Sequence, residues 1–308
     1  MSLAFVFPGQ GSQSIGMLAD LATAHPVVTE TFEQASAALG YDLWQVIQEG
    51  PLEKLNQTEI TQPAMLAAGV ATWRAWQSTS DVRPTIMAGH SLGEYTALVC
   101  ADVIAFEDAI KLVAERGRLM QEAVPAGEGA MAAILGLSDE QVISVCDRAS
   151  EGEVVAAVNF NSPGQVVIAG VKAAVERAVA LATEEKARRA LLLPVSVPSH
   201  CSLMTPAAEK LTLQMASITF NAPAIPIVNN VDVKLESDPD AIRDALARQL
   251  YMPVRWVECV ELMAVQGVDS LIECGPGKVL AGLTKRINKS LSAQAVFDAA
   301  SLEKALAE

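Results

Sequence analysis

The chain reads as an α/β protein built on a largely parallel sheet, with a small antiparallel unit set into it. Three observations carry this expectation. Short apolar runs of strand length alternate with longer runs of helical period over residues 1–127. Between residues 128 and 196 the order becomes βαββαβ, which is that of a ferredoxin-like unit. The α/β alternation then resumes from 197 to 308, after Pro194 and Pro198. With 308 residues, 51% of them hydrophobic, there is enough chain for a large core interrupted by an insertion.

The elements follow in order. A strand over 4–7 leads into a glycine-rich loop, and helical spacing covers 27–39 and 62–77. The apolar run 85–88 is a strand, 92–100 a helix, and 106–122 a second, strongly amphipathic helix. In the inserted unit, strands fall at 130–135, 154–158, 165–169 and 190–195, and helices at 138–150, capped by Ser138, and 171–186. Beyond it come a strand at 225–229, helices at 241–250 and 254–265, and a strand at 270–273. Clefts at the junction of such units favour ligands.

Composition narrows the function classes. The first residues carry no basic region, and no apolar stretch approaches the length that spans a bilayer, so a cytoplasmic protein is expected. Five scattered cysteines without C-x-x-C spacing, and only three histidines, suggest neither a disulfide framework nor a metal site. A net charge of −14 disfavours nonspecific contact with nucleic acid or anionic membrane.

Chemistry enters at Gly89-His90-Ser91-Leu92-Gly93, a G-x-S-x-G pattern between a strand and a helix. Small residues two before and two after Ser91 let strand and helix approach, holding the hydroxyl at the strand's carboxyl end. There the N–H of Leu92, at the helix N-terminus, can meet a developing oxyanion. An activated serine needs a base. His90 adjoins Ser91 on a sharp turn and should point away; His25, in Ala24-His25-Pro26, reads as a solvated loop residue. His200, just past the insertion, is left by elimination. Cys201 as a rival nucleophile is badly placed beside that histidine and reads as a buried thiol. Asp102, Asp108, Asp139 and Asp147 lie between Ser91 and His200, yet each suits a helix start or a solvated face. A Ser-His dyad oriented by a backbone carbonyl is an equal alternative to a triad.

In the helix over 106–122, Ala109, Leu112, Val113 and Arg116 share one apolar face, so Arg116 should point inward, whereas Arg118 joins Lys111, Glu115 and Glu122 on the charged side. A buried guanidinium needs an anion, either an internal carboxylate or a substrate's. The loop Phe7-Pro8-Gly9-Gln10-Gly11-Ser12-Gln13 fails the dinucleotide template, since Ser14 stands at the third glycine position, and lacks the lysine of a phosphate loop. It can instead bring an amide donor and Gln10 to the sheet edge that carries Ser91.

These motifs, with Asn159-Phe160-Asn161-Ser162-Pro163-Gly164-Gln165, Gln62-Pro63, Pro198-Ser199-His200, Val228-Asn229-Asn230, Gln249-Leu250-Tyr251 and Glu273-Cys274-Gly275-Pro276-Gly277, follow one another nearly end to end. In that order they resemble the bacterial malonyl-CoA:acyl carrier protein transacylases. The resemblance implies an α/β-hydrolase-like domain with a ferredoxin-like insertion, no cofactor, and malonyl-CoA and acyl carrier protein as partners in fatty-acid biosynthesis; a monomer is expected, though no feature of the sequence fixes the oligomeric state. It implies that Ser91 carries the malonyl ester, His200 serves as base and then acid, and Arg116 binds the free carboxylate. Gln10 and the Leu92 N–H would form the oxyanion hole, the backbone carbonyl of Gln249 would orient His200, and Gln62, Asn159 and Asn161 would lie near the substrate. Ser199 departs from the Phe common in related polyketide modules but fits the bacterial enzymes. The alternatives are a serine esterase or thioesterase, a malonyltransferase of polyketide synthesis, and a non-catalytic carrier-binding module. For an acidic carrier protein the candidate docking clusters are Lys186, Arg188 and Arg189, or Lys285, Arg286 and Lys289.

Overall fold

The computed structural model describes residues 2–195 and 197–307. The strands are β1 (Leu3–Phe7), β2 (Ile86–Gly89), β3 (Gly129–Leu135), β4 (Val155–Ser162), β5 (Gln165–Val171), β6 (Arg189–Leu192), β7 (Ile227–Val228), β8 (Ser270–Cys274) and β9 (Ser292–Val296). They form two sheets, one ordered β7-β2-β1-β8-β9 and one ordered β4-β5-β3-β6. Every strand pairing in the first is parallel. Every pairing in the second is antiparallel, with the strand order of a ferredoxin-like unit.

Strands covered on both faces read as continuous apolar runs, and β1 is such a strand, with Phe5 and Phe7 fully buried. Phe5 lies edge-on to Trp73 and Trp76, with ring centroids 5.2 and 5.1 Å away. Both tryptophans belong to the helix Thr58–Thr79, which is apolar almost all round and buried along most of its length. This helix packs against Phe106–Ala123, and the pair supplies the wall on which the inward arginine sits.

In the antiparallel unit, the helices Asp139–Ser150 and Lys172–Glu184 cover one face of the sheet with Val142, Val145, Val166, Ile168 and Val175. The opposite face packs Met131, Val158, Val167 and Ala169 against Cys201, so the unit rests on the segment that carries His200. Main-chain bonds from Phe160 N–H to Val254 O (3.0 Å) and from Val254 N–H to Val158 O (2.9 Å) stitch β4 to the parallel part of the molecule.

Ser138 does cap its helix, in a reciprocal capping box with Gln141. Several expected elements are trimmed: the strand over 190–195 ends at Leu192 before Pro194, and that over 225–229 shortens to β7. The expected end of the insertion, residue 196, lies outside the described residues. The pattern reading passed over β9 and the helices Leu43–Glu49, Thr205–Met215, Val279–Ile287 and Ala299–Ala307, although Asp42 caps the first of these helices and Asp298 accepts from the Ser301 N–H at the start of the last. Among the described residues no helix is long and apolar enough to cross a membrane.

Candidate active site

Ser91 sits at the turn between β2 and the helix Leu92–Cys100 with φ 52° and ψ −109°, a conformation that L residues rarely adopt. The turn closes because glycines flank it. A Cβ on Gly89 would fall 1.8 Å from the Gly93 carbonyl carbon, and one on Gly93 would fall 2.0 Å from the Phe7 oxygen. Asn230, fully buried beyond β7, clamps the same turn: its Oδ1 accepts from the Ser91 N–H at 2.8 Å, and its Nδ2 donates to the Gly89 oxygen at 2.8 Å.

The Ser91 hydroxyl lies 2.7 Å from His200 Nε2. On the other side of the ring, Nδ1 lies 2.7 Å from the backbone oxygen of Gln249, so Nδ1 donates to that carbonyl and Nε2 is left to accept from the hydroxyl. The orienting group is therefore the carbonyl, and none of the four aspartates considered from the sequence occupies that place. His200 is 3% exposed, and burial, with the charge of Arg116 adding to it, pushes its pKa down to about 3. The imidazole is consequently neutral and able to act as a base.

His90 points away from the nucleophile, as expected: its Nε2 lies 2.7 Å from Asn161 Oδ1, and its ring packs against Trp256. Cys201 is buried, donates to the Pro198 oxygen, and is pushed up to about 11 by that burial, so it is an inert thiol.

Arg116 points inward and is 2% exposed. Its Nη1 donates to Gln62 Oε1 at 2.8 Å, and its Nη2 donates to Gln249 Oε1 at 3.1 Å and reaches Ser91 Oγ at 3.4 Å. Tyr95 lies beneath the guanidinium, 5.3 Å from its carbon to the ring centroid. Among the described residues every group hydrogen-bonded to it is neutral, and its buried Nε finds no partner. Arg118, on the charged face, pairs with Glu115 and Glu122.

Gln10 is exposed at the end of the loop after β1, which passes beside the turn: His90 N–H donates to Phe7 O at 3.0 Å. Gln10 also lines an open cleft of about 810 Å³ with Thr58, Glu59, Arg118, Leu193 and Val195, where β6 leaves the antiparallel unit. Leu92 opens its helix, so its N–H is one of those without an intrahelical acceptor. Asn159 is buried and Asn161 bonds His90; both lie on β4, whose pairing slips between Ala157 and Asn159 and again between Phe160 and Ser162. The structure thus gathers Ser91, His200, Arg116, Gln62 and Gln249 into one contact network, with Leu92 adjoining it and Asn161 one residue removed through His90. It adds Asn230, Glu94, Tyr95 and the Gln249 side chain, to which sequence reasoning gave no role. The signal for Asn230 was two consecutive amides directly after a buried strand, an unusual place for uncapped polar groups.

A strained serine at the carboxyl end of a parallel strand, bonded to a neutral histidine, is the arrangement that serine-dependent acyl-group enzymes need. The comparisons with known proteins agree. The chain belongs to the acyl transferase domain family, whose model matches residues 4–304. Its relatives there are malonyl CoA-acyl carrier protein transacylases: that of Escherichia coli strain K12 is 63% identical over 98% of this chain and 98% of its own. Among solved structures, an acyl carrier protein S-malonyltransferase from Vibrio cholerae superposes with a TM-score of 0.97 at 64% identity, covering 99% of this chain and all of that one. A malonyl-transacylase solved in complex with its type II PKS acyl-carrier protein superposes with a TM-score of 0.99 at 60% identity, covering 100% of this chain and 99% of that one.

Proposed function

We propose that the chain moves a malonyl group from malonyl-CoA to the phosphopantetheine thiol of acyl carrier protein, in fatty-acid biosynthesis, through an ester on Ser91. It is a malonyl-CoA–acyl carrier protein S-malonyltransferase and needs no cofactor, because the thioester is already activated. The observation that carries the site assignment is a buried Arg116 whose partners among the described residues are all neutral, 3.4 Å from the Ser91 hydroxyl that His200 holds.

Arg116 receives the malonyl carboxylate and so places the thioester carbon over Ser91 Oγ. His200 Nε2 takes the hydroxyl proton as Oγ attacks, while Gln249 O holds the imidazolium through Nδ1. The tetrahedral oxyanion faces the Leu92 N–H and the backbone at Gln10. Its collapse breaks the C–S bond, and His200 returns the proton to the departing CoA sulfur. The carrier thiol then attacks the ester, His200 takes its proton, and the second collapse returns that proton to Ser91 Oγ. Gln62 shapes the acyl seat through its bond to Arg116, and Asn159 and Asn161 border it from the antiparallel unit. We assign residues 128–196 to the inserted domain and 1–127 with 197–308 to the catalytic one, and we place the enzyme in the cytoplasm as a monomer.

Intact-mass spectrometry after mixing with malonyl-CoA tests the reading. A malonyl adduct on the wild-type chain, absent from Ser91→Ala and discharged by carrier protein, supports it. Steady release of malonate without an adduct would support hydrolysis, and no turnover at all a carrier-binding module.

A further inference from the structure

Glu94, three residues past the nucleophile, is 3% exposed and has no part in the transfer just described. Its Oε2 accepts from Gln249 Nε2 at 2.8 Å and from the Asn230 N–H at 3.0 Å. That first bond fixes the amide of Gln249 so that Oε1 faces Arg116. The guanidinium and the Glu94 carboxylate are thereby separated by a single amide group, a cation and an anion in one buried network without direct contact. The other ionisable groups facing Glu94 carry little charge or are already paired. Tyr95, on the same helix, is pushed up to about 12 by burial, and the Cys259 thiol of the helix Trp256–Val265 is also pushed up by burial. Asp232, beyond β7, is paired with Arg248 at 2.7 Å.

We infer that Glu94 is the resident counter-anion of Arg116, relayed by the Gln249 side chain, and that it takes up a proton when a carboxylated acyl group occupies the arginine. This rests on the reading of Arg116 as the carboxylate seat. Two buried anions sharing one cation cannot both stay ionised cheaply, and the incoming carboxylate, in direct contact with the guanidinium, holds its charge better than the acid one amide away. Burial pushes Glu94 up to about 7 in the free protein, against the pull of Gln249, Asn230 and Arg116, so it is poised to titrate near neutrality. The consequence is a proton-linked preference for malonyl over acyl groups that lack a carboxylate. Because occupancy raises the Glu94 pKa further, malonyl affinity is full below the free value and declines as pH rises above it.

The test is isothermal calorimetry on Ser91→Ala protein at about pH 8, where most Glu94 is ionised before binding. Malonyl-CoA and acetyl-CoA are each titrated in two buffers of different ionisation enthalpy, so that protonation of CoA itself cancels between them. Malonyl-CoA should take up more protons than acetyl-CoA, by up to one, and Ser91→Ala/Glu94→Gln should lose the excess. Malonyl affinity of the Ser91→Ala protein should fall by up to about tenfold per pH unit above neutrality, and that of the double variant should not. Equal proton uptake for the two ligands, or an excess that survives Glu94→Gln, overturns the inference. If malonyl-CoA and acetyl-CoA bind Ser91→Ala equally tightly, it is the Arg116 reading that fails. An infrared difference spectrum of the Ser91→Ala protein reads the same proton without Glu94→Gln: a new carboxylic-acid band with malonyl-CoA but not acetyl-CoA supports the uptake, and its absence overturns it.

Discussion

The backbone oxygen of Gln249 lies 2.7 Å from His200 Nδ1, while the side-chain oxygen of the same glutamine lies 3.1 Å from Arg116 Nη2. One residue at the end of the helix Pro239–Gln249 thus contacts both the His200 imidazole and the Arg116 guanidinium, so the two side chains are held in register.

Rate should follow the unusual acidity of His200. With its pKa pushed to about 3, the imidazole stays neutral where an ordinary histidine would be half protonated, near pH 6.5. We expect kcat/KM for a malonyl N-acetylcysteamine thioester to stay flat from about pH 5 to pH 6.5 and to fall only well below that range. An acid limb centred near 6.5 in the pH–rate profile would overturn this account.

Arg116→Ala should lose most malonyl transfer and keep or gain acetyl transfer. Charge-assisted hydrogen bonds contribute about 1.5–3 kcal/mol, so the malonyl-to-acetyl ratio of kcat/KM should drop by roughly one to two decades. A ratio unchanged from wild type would sink the assignment.

Asn230→Ala strips the turn of its clamp, leaving the Ser91 N–H and the Gly89 oxygen without their partner. Each buried orphan costs about 1–3 kcal/mol, so thermal denaturation should shift down by several degrees. Because Asn230 touches neither Arg116 nor Gln62, kcat should fall with KM little changed.

Both basic clusters considered for carrier docking are exposed, and Arg286 reaches Gln165 at the start of β5 with a 2.7 Å bond. Charge reversal of Lys186, Arg188 and Arg189, or of Lys285, Arg286 and Lys289, should raise the KM for acyl carrier protein and spare that for malonyl-CoA. Steady-state kinetics with each substrate varied in turn identifies the cluster; equal effects on both substrates would argue against docking there.

Periodicity made much of the molecule legible. Helical spacing placed Arg116 inside from four positions of one face, and G-x-S-x-G with its flanks located Ser91 at a strand-to-helix turn. The strand order of the insertion followed from its element order because βαββαβ connections leave few alternatives. Short helices such as Leu43–Glu49 and the edge strand β9 escaped, since so few residues complete no clear period.

By itself, then, the sequence determined which faces are buried, where Ser91 turns, and, with only three histidines present, which one lies against it. It left open whether an acid or a carbonyl stands behind His200, and it was silent on Glu94 and Asn230. Those answers came from tertiary structure. The atoms concerned are main-chain carbonyl and N–H groups, an amide side chain and a carboxylate, brought together across 49, 136 and 139 residues of separation. Hydrogen bonds of that kind depend on which ends of separate elements meet, and no local spacing of residue types encodes that meeting.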